Sequence, residues 1–397
     1  MDKTVIIKNL KLYTMDDYGI IENGYICIEN GKITRVSEGE PVGLSGEIID
    51  GRGGYMFPGF IDGHTHLGII ENAISFEGDD CNETNDPITP QLRGIDGINA
   101  MDPCFGEALR AGITCVAIGP GSANPIGGQF CIVKTHGVRI DNMVIKAPSA
   151  MKFALGENPK GVYHGKSQTP ETRMATVSLI REALMKAKKY AEALDRVDAA
   201  SDGVDDCEEP EFDFKCEALL PVIRREIPAH FHAHRADDIF TAIRIAKEFN
   251  LKYNLVHCTE GRLIADEIAS EEVGVFVGPN LCDRSKPELR ELSFANPSAL
   301  DRAGVAIGLT TDHPVIPLEY LPLCASLAVK AGMDEYNAFR AITINPARIL
   351  GIDHRVGSIR EGKDADLVIF DGNPLNVMTK VRCVFSDGRL VHGSLNE

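Results

Sequence analysis

Histidines stand at the ends of several short apolar runs of this chain, in a spacing that suits metal binding. The stretch "GFIDGHTHLG" places His64 and His66 one residue apart after an apolar run. Because residues i and i+2 of a β-strand face the same side, the two imidazoles share one face. A second stretch, "AHFHAH", repeats this period with His230, His232 and His234. Side-by-side imidazoles are ligands that Zn²⁺, Fe²⁺ and Mn²⁺ accept.

Two further apolar runs also end in a potential ligand. "NLVHC" places His257 there, and "GLTTDHP" places Asp312. Taken singly, His257 is as well explained by a buried, hydrogen-bonded histidine, and Asp312 by a helix N-cap. Six of the eleven histidines, with this acid, nevertheless fall at the ends of four separate predicted strands. If those ends meet, the set predicts a metal site.

A barrel of parallel strands would bring these ends together. Short apolar runs alternate with helical stretches such as "ETRMATVSLIREALMKAKKYAEAL" through the middle of the chain. This alternation predicts α/β architecture, with enough units for a closed barrel of eight strands whose carboxyl ends carry the chemistry. Polar residues 71–103 then form a long loop over the barrel mouth, where contacts to a substrate are common. Acidic residues 195–215 are expected to form a surface loop.

Both ends of the chain are predicted to be rich in β-strands. "ENGYICIENGKITRV" and "VRCVFSDGRLVHG" alternate apolar and polar residues around turn dipeptides. Neither end is long enough to form a stable β-sandwich alone. We therefore expect residues 1–58 and 353–397 to form one small β-sandwich domain, and residues 59–352 to form the barrel domain.

Composition limits the partners of the chain. Its 397 residues carry a net charge of −17, which argues against nucleic acid or an anionic membrane and leaves a small-molecule substrate. The sequence has no run of 18 apolar residues, so no membrane-spanning helix is predicted, and the N-terminus lacks the apolar stretch of a signal peptide. The eleven cysteines are scattered without a C-x-x-C pair, which is typical of a reduced, cytoplasmic protein.

The chain resembles the metal-dependent amidohydrolase superfamily, and within it the imidazolonepropionase-like branch that includes metal-dependent dipeptidases. The motifs that carry the resemblance are "PGFIDGHTHLG", "HFHAHRADDI", "LVHC", "GLTTDHP" and the tail "ITINPARILGI…VGSIREGKDADLVIFDGNPL". The resemblance implies a distorted (β/α)₈ TIM barrel with a β-sandwich built from both termini, and a homo-oligomer. It implies one or two divalent transition metal ions, most commonly zinc, with iron or manganese as alternatives. The metal ligands that it implies are His64, His66, His232, His257 and Asp312.

One further metal ligand is expected from the fourth barrel strand, where binuclear relatives carry a carboxylated lysine or a glutamate. The segment "SAMKFALGENPK" offers Lys152 and Glu157. Glu157 stands where the apolar run stops, so we expect it to be the ligand; a turn residue before "NP" is the alternative. Lys152 lies deeper in the strand, and its carboxylation stays open.

Roles for the remaining groups follow from metal-assisted hydrolysis. Metal ions lower the pKa of bound water towards about 7 and polarise carbonyl groups. We expect Asp312 to act as general base and then general acid. His257 binds metal or, with one ion only, polarises the carbonyl. His234 faces the same way as His232 and is expected to contact substrate, whereas His230 is expected to be structural.

The function predicted from these residues is hydrolysis of a C–N bond in a small amide, such as a dipeptide, an N-acyl amino acid or a cyclic amide. A deaminase of an aminated heterocycle on the same scaffold is the second hypothesis. A non-catalytic small-molecule-binding member is the third, but such a protein would be expected to lose these ligands. Arg93 and Arg235 are possible anchors for a substrate carboxylate, although each is more simply a surface charge.

Overall fold

The computed structural model describes residues 4–72, 74–200 and 209–394, which form two sheets with helices. The strands are β1 (Val5–Tyr13), β2 (Ile20–Glu29), β3 (Lys32–Glu38), β4 (Glu47–Pro58), β5 (Phe60–Thr65), β6 (Ile113–Ile118), β7 (Ile126–Lys134), β8 (Val144–Ala154), β9 (Ala229–Ala233), β10 (Tyr253–His257), β11 (Val275–Val277), β12 (Ile307–Leu309), β13 (Leu367–Phe370), β14 (Val381–Ser386) and β15 (Arg389–Gly393). The helices are α1 (Pro103–Arg110), α2 (Glu157–His164), α3 (Arg173–Ala200), α4 (Phe214–Ile223), α5 (Ala236–Glu248), α6 (Ala265–Ala269), α7 (Ala295–Arg302), α8 (Leu321–Lys330), α9 (Glu335–Arg340) and α10 (Ile344–Leu350).

The barrel sheet contains β5 to β12 in chain order, and it confirms the predicted distorted (β/α)₈ fold. Its strands are parallel except β7, which runs antiparallel to both β6 and β8. Only residues 119–125 connect β6 to β7, and a parallel crossover needs a dozen residues or more. This short connection produces the distortion, which the alternation of strands and helices did not predict.

The second sheet joins the two ends of the chain in the order β15-β14-β13-β4-β1-β2-β3. Strand β4 is the link, because it pairs in parallel with β1 on one side and antiparallel with β13 on the other. Buried aliphatic residues such as Ile7, Leu10 and Ile369 form the core of this sheet. Pro58 ends β4 and Phe60 begins β5, so the terminal sheet leads directly into the strand that carries His64.

The two segments that do not follow the barrel pattern differ in structure. The connection from β5 to α1, as far as it is described (residues 66–72 and 74–102), contains short 3₁₀ turns and no longer helix, as expected for a long loop. The acidic stretch 195–215 is only partly a loop, because α3 continues to Ala200 and α4 begins at Phe214, capped by Asp213. Residues 201–208 of that stretch lie outside the described residues. In the part of the chain that is described, no helix is both long and apolar enough to cross a bilayer.

Asp62 fastens the first barrel strand to the end of the last one. Its carboxylate is fully buried and accepts hydrogen bonds from the Thr310 hydroxyl at 2.7 Å, the Thr311 amide at 2.8 Å and the Thr311 hydroxyl at 2.7 Å. The backbone amide of His64 is a fourth donor, at 3.1 Å. Burial raises the pKa of Asp62 to about 6, and these four bonds oppose that rise.

We predict that Asp62→Ala lowers the free energy of unfolding by about 3 kcal/mol or more, because it leaves several buried donors without an acceptor. Chemical denaturation followed by circular dichroism measures the change. Asp17→Ala, at an exposed position, serves as the control and should change the same free energy by less than about 0.5 kcal/mol. Equal stability of the two variants would show that the carboxylate of Asp62 does not hold the barrel together.

Candidate metal centre

Two groups of ligand atoms converge at the carboxyl ends of the barrel strands. The first consists of His64, His257 and Asp312, and the second of His232, His234 and His257. Within each group the potential ligand atoms all lie within 4.8 Å of one another. These side chains come from β5, β9, β10 and the turn after β12, so four separate strand ends meet as the sequence predicts.

The first group is arranged around one carboxylate oxygen. Oδ1 of Asp312 lies 3.4 Å from Nε2 of His64 and 3.4 Å from Nε2 of His66. The hydrogen bonds of Asp62 to Thr310 and Thr311 produce this approach, because they hold the residues just before Asp312 against β5. His66, which the sequence analysis proposed as a ligand, therefore lies with this group.

Two of the converging ligands have strained backbone conformations. The φ angle of His257 is 75° and that of Asp312 is 53°, both in the left-handed region that residues other than glycine rarely adopt. Each such residue costs of order 1–3 kcal/mol and persists only where the surrounding structure fixes it. Strain at these two positions is consistent with a functional constraint on both side chains.

Hydrogen bonds at Nδ1 leave the Nε2 atoms of two histidines free for a ligand. Nδ1 of His66 donates to the carbonyl oxygen of Gly119 at 2.7 Å, and Nδ1 of His257 donates to that of Gly278 at 2.6 Å. A carbonyl can only accept, so each Nδ1 carries a proton, and each Nε2 faces the cluster and offers its lone pair there once it is deprotonated. This is the orientation of a metal-binding histidine.

His64 obtains the same orientation through a chain of two bonds. Oδ1 of Asn254 accepts from Nδ1 of His230 at 2.5 Å, which leaves Nε2 of His230 as an acceptor. That atom lies 3.0 Å from Nδ1 of His64, so His64 carries its proton there and presents a bare Nε2 to Asp312. His230, expected to be structural, thus orients a ligand. The sequence analysis missed Asn254, which pairs with His230 across β9 and β10.

The second group is oriented by hydroxyl groups. Nδ1 of His232 lies 2.8 Å from the hydroxyl of Ser122, and Nδ1 of His234 lies 2.7 Å from that of Thr259. The ring of His234 stacks on that of His257, with centroids 4.4 Å apart and planes 6° from parallel. His234, expected to contact substrate, therefore lies among the potential metal ligands.

Lys152 reaches the cluster from β8. Its side chain is fully buried, and Nζ lies 3.2 Å from Nε2 of His64. In the sheet Lys152 pairs with His230 on β9. Burial lowers the pKa of Lys152 to about 8, so its uncharged amine is accessible near neutral pH.

Glu157, which we expected to be the fourth-strand ligand, is held elsewhere in this structure. It begins α2, and its Oε2 accepts a hydrogen bond from the backbone amide of Glu288 at 3.2 Å. In return, Oε2 of Glu288 accepts one from the amide of Glu157 at 3.1 Å. The expectation rested on the point where the apolar run stops. The chain turns into α2 at that point. Lys152 is the residue of this segment that contacts His64, one of the proposed ligands.

Burial and mutual repulsion keep most of these imidazoles uncharged. Burial is the main cause that lowers the pKa of His257 to about 4, and it holds the pKa values of His64, His232 and His234 well below the usual value. Metal ligands must be deprotonated, so this environment favours binding of a cation.

Asp312 and His66 carry the charges of the first group. Burial acts to raise the pKa of Asp312, but the adjacent histidines, His257 above all, outweigh it and hold that pKa well below its usual value. Burial acts to lower the pKa of His66, but its interactions with the side chains of Cys81 and Asp312 raise it to about 10. A metal ion bound there therefore replaces a proton on His66.

Two other residues named in the sequence analysis lie apart from the cluster. Arg93 is exposed and Arg235 is half-buried, and they form ion pairs with Asp96 and Asp237, at 2.7 and 3.0 Å. Nδ1 of His313, the residue after Asp312, accepts the backbone amide of Leu318. Neither arginine has a described contact with the histidines.

The chain matches the amidohydrolase family over residues 55–391. It belongs to the amidohydrolase family. The structure of an amidohydrolase from Thermotoga maritima MSB8 is 40% identical and has a TM-score of 0.93, covering 98% of this chain and 100% of that one. Amidohydrolase tasK of Hapsidospora irregularis is 29% identical over 92% of this chain, and the matched part covers 39% of that relative's length. An imidazolonepropionase of Sphingopyxis alaskensis is 23% identical, covering 94% of this chain and 93% of that one.

The residues present fit the metal ions on which amidohydrolases depend. Imidazoles whose Nε2 atoms face an ionised Asp312 form a donor set that suits a divalent transition metal. His257 belongs to both groups, so the groups adjoin. In addition, the buried Oε1 of Glu288 lies 3.6 Å from Nε2 of His234 and pairs with Nζ of Lys286 at 2.6 Å. No sequence motif marked Glu288, which is brought in by the loop after β11.

We predict that Lys152→Met lowers the metal content of the purified protein, because it removes the fourth-strand group that contacts His64. Glu157→Gln should retain the metal content of the unsubstituted protein, since its carboxylate bonds to the backbone of Glu288. Elemental analysis of the variants, prepared side by side without chelators, measures both. Loss of metal in Glu157→Gln together with full metal in Lys152→Met would restore the original expectation from the sequence.

Proposed function

We propose that this amidohydrolase is a metal-dependent hydrolase that cleaves a C–N bond in a small amide, such as a dipeptide, an N-acyl amino acid or a cyclic amide. The observation that carries the proposal is the approach of Asp312 to His64 and His66 beside a second group of three histidines. An ionised carboxylate next to ion-binding imidazoles is the arrangement that hydrolysis by activated water requires.

The proposed metal ligands are His64, His66 and Asp312 in the first group, His232 and His257 in the second, and Lys152 in its carboxylated form between them. Zinc is the ion we propose, with iron and manganese as alternatives. Bound there, a divalent ion supplies a lowered pKa for water and a positive charge that polarises the substrate carbonyl. The remaining steps depend on groups of the chain itself.

Asp312 is the proposed proton carrier. Its low pKa keeps the carboxylate ionised, so it can accept a proton from water and pass that proton to the departing nitrogen. The contact with two histidines holds Oδ1 in place, whereas the nearby turn fixes the backbone in the left-handed region. His257, held by Gly278, is positioned to ligate the ion or to polarise the carbonyl.

The loop after β11 and the start of α2 border the second group, and we expect His234 of that group to contact the substrate. The carboxylate of Glu288 and the side chain of Asn158 lie 3.8 and 3.4 Å from Nε2 of His232. These polar groups offer both hydrogen-bond donors and acceptors to a peptide-like ligand. The homo-oligomer expected from the resemblance stays a prediction.

The test is a screen of protein loaded with Zn²⁺, Mn²⁺ or Fe²⁺ against dipeptides, N-acyl amino acids and cyclic amides, with aminated heterocycles alongside. We expect amide hydrolysis that the double variant His64→Ala/His66→Ala abolishes, together with a lower metal content. Asp312→Asn should lower kcat by at least about 100-fold, since it removes the general base.

His136→Ala is the matched control, because it removes an exposed histidine outside the cluster, and it should keep full activity. Full activity and full metal in the double histidine variant would contradict the proposal. Release of ammonia from aminated heterocycles, without hydrolysis of any amide, would show instead that the chain is a deaminase.

A further inference from the structure

Lys286 lies beside the second histidine group on the loop between β11 and α7. Its Nζ donates to Oδ1 of Asn158 at 2.8 Å and lies 2.6 Å from Oε1 of Glu288. That same oxygen is 3.6 Å from Nε2 of His234. The ammonium group and the imidazole of His234 are therefore neighbours across a single oxygen atom.

The position of Lys286 is fixed by its neighbours Glu288 and Asn158. Glu288 is buried, with 1% of its side chain exposed, and the loop is joined to the start of α2 by the two reciprocal bonds between Glu157 and Glu288. Asn158, the next residue of α2, holds the ammonium group from the other side. An ammonium group mounted in this way loses little conformational freedom when it binds a ligand.

Lys286 keeps capacity for another acceptor. A lysine ammonium has three N–H donors, and Asn158 takes one of them. Oε1 of Glu288, 2.6 Å from Nζ, takes a second donor, which leaves the third for a ligand. The side chain of Lys286 is 29% exposed, so solvent, or a ligand in its place, reaches the ammonium group.

The other candidate cations do not face the cluster. Arg93 and Arg235, the anchors suggested by the sequence, pair with acids close to them in the chain and are 58% and 41% exposed. Arg290, on the same loop as Lys286, is 74% exposed and approaches Glu260 and Glu291. Lys286, in contrast, contacts Oε1 of Glu288 at 2.6 Å, and that oxygen lies 3.6 Å from Nε2 of His234.

We propose that Lys286 binds a carboxylate of the substrate, held for that purpose by Asn158 and Glu288. This inference rests on the proposed function and narrows it. An amide whose carbonyl reaches the metal ligands, and whose carboxylate lies a few bonds further on, matches a dipeptide or an N-acyl amino acid. A neutral cyclic amide has no group for this cation. The interaction is a charge-assisted hydrogen bond from ammonium to carboxylate.

The test uses ligands that the protein cannot hydrolyse. The 4-oxoalkanoates are isosteres of N-acyl amino acids in which CH₂ replaces the amide NH, and the matched 4-oxo alcohols lack the carboxylate. Titration calorimetry with metal-loaded protein measures the affinity of both series for the unsubstituted chain, Lys286→Met and Lys286→Arg. Arg290→Met, on the same loop, is the control.

We expect Lys286→Met to weaken binding of the 4-oxoalkanoates about ten-fold or more, because a hydrogen bond between charged groups is lost. Binding of the 4-oxo alcohols should not change. Lys286→Arg should restore part of the affinity for the acids, and Arg290→Met should retain all of it. Metal content, measured on each variant, should equal that of the unsubstituted protein.

Equal affinity of Lys286→Met and the unsubstituted chain for the acids would overturn the inference. An equal loss for acids and alcohols would also overturn it, because Lys286 would then be structural. So would the absence of any binding of 4-oxoalkanoates to the unsubstituted, metal-loaded chain. These results do not depend on turnover, so they are distinguishable from failure of the hydrolase assay, which would contradict the proposed function alone.

Discussion

The hydrogen bonds of the buried Asp62 carboxylate to Thr310 and Thr311 are the constraint on which the candidate site depends. They join the first strand of the barrel to the turn after the last one, so His64 and His66 meet Asp312. The cost of burying this carboxylate is visible in its raised pKa, about 6, and the structure offsets that cost with four donors. Two further hydrogen bonds join the same strand ends, from the Thr310 hydroxyl to the carbonyl oxygen of His64 at 2.6 Å and from the His66 amide to the carbonyl oxygen of His313 at 2.8 Å.

A second layer of hydrogen bonds determines what the histidines can do. The carbonyl oxygens of Gly119 and Gly278 fix the protons of His66 and His257 at Nδ1, and Asn254 does the same for His64 through His230. Each bond leaves an Nε2 lone pair facing the cluster, which is the requirement for binding a metal ion. The strained backbone at His257 and Asp312 belongs to the same arrangement. The site is therefore formed as much by backbone carbonyls and one amide side chain as by the ligands themselves.

The period of the histidines allowed much of this site to be predicted from the sequence. Side chains two residues apart share a face of a strand, and barrel strands converge, so His64, His66, His232, His257 and Asp312 were expected to meet, and the structure brings them together. The choice of Glu157 over Lys152 rested on where an apolar run stops. That rule does not report which side chain faces the barrel interior, whereas the pairing of Lys152 with His230 brings Lys152 beside the histidines. Asp62 could also have been predicted to belong to the site, since it stands two residues before His64 on the same strand.

Other parts of the site had no signal in the sequence. Lys286 and Glu288 come from a loop without a regular period, and bonds to Glu157 and Asn158 bring them to the histidines. The antiparallel direction of β7 depends on the short connection between β6 and β7. The length of that connection could not be predicted, because the ends of the two strands were not known from the sequence. Loop geometry sets the substrate-binding surface in barrels of this type, so the parts that determine specificity are those that sequence patterns predict least.

The measurement that tests the central claim most directly is the metal content per chain, by elemental analysis of protein purified without chelators. The two adjoining ligand groups predict about two equivalents of a divalent transition metal, and an apoprotein that recovers them on incubation with the ion. A chain that contains no such metal as purified and takes up none afterwards would contradict the account, in which metal binding explains why six ionisable side chains from four strand ends converge on one point.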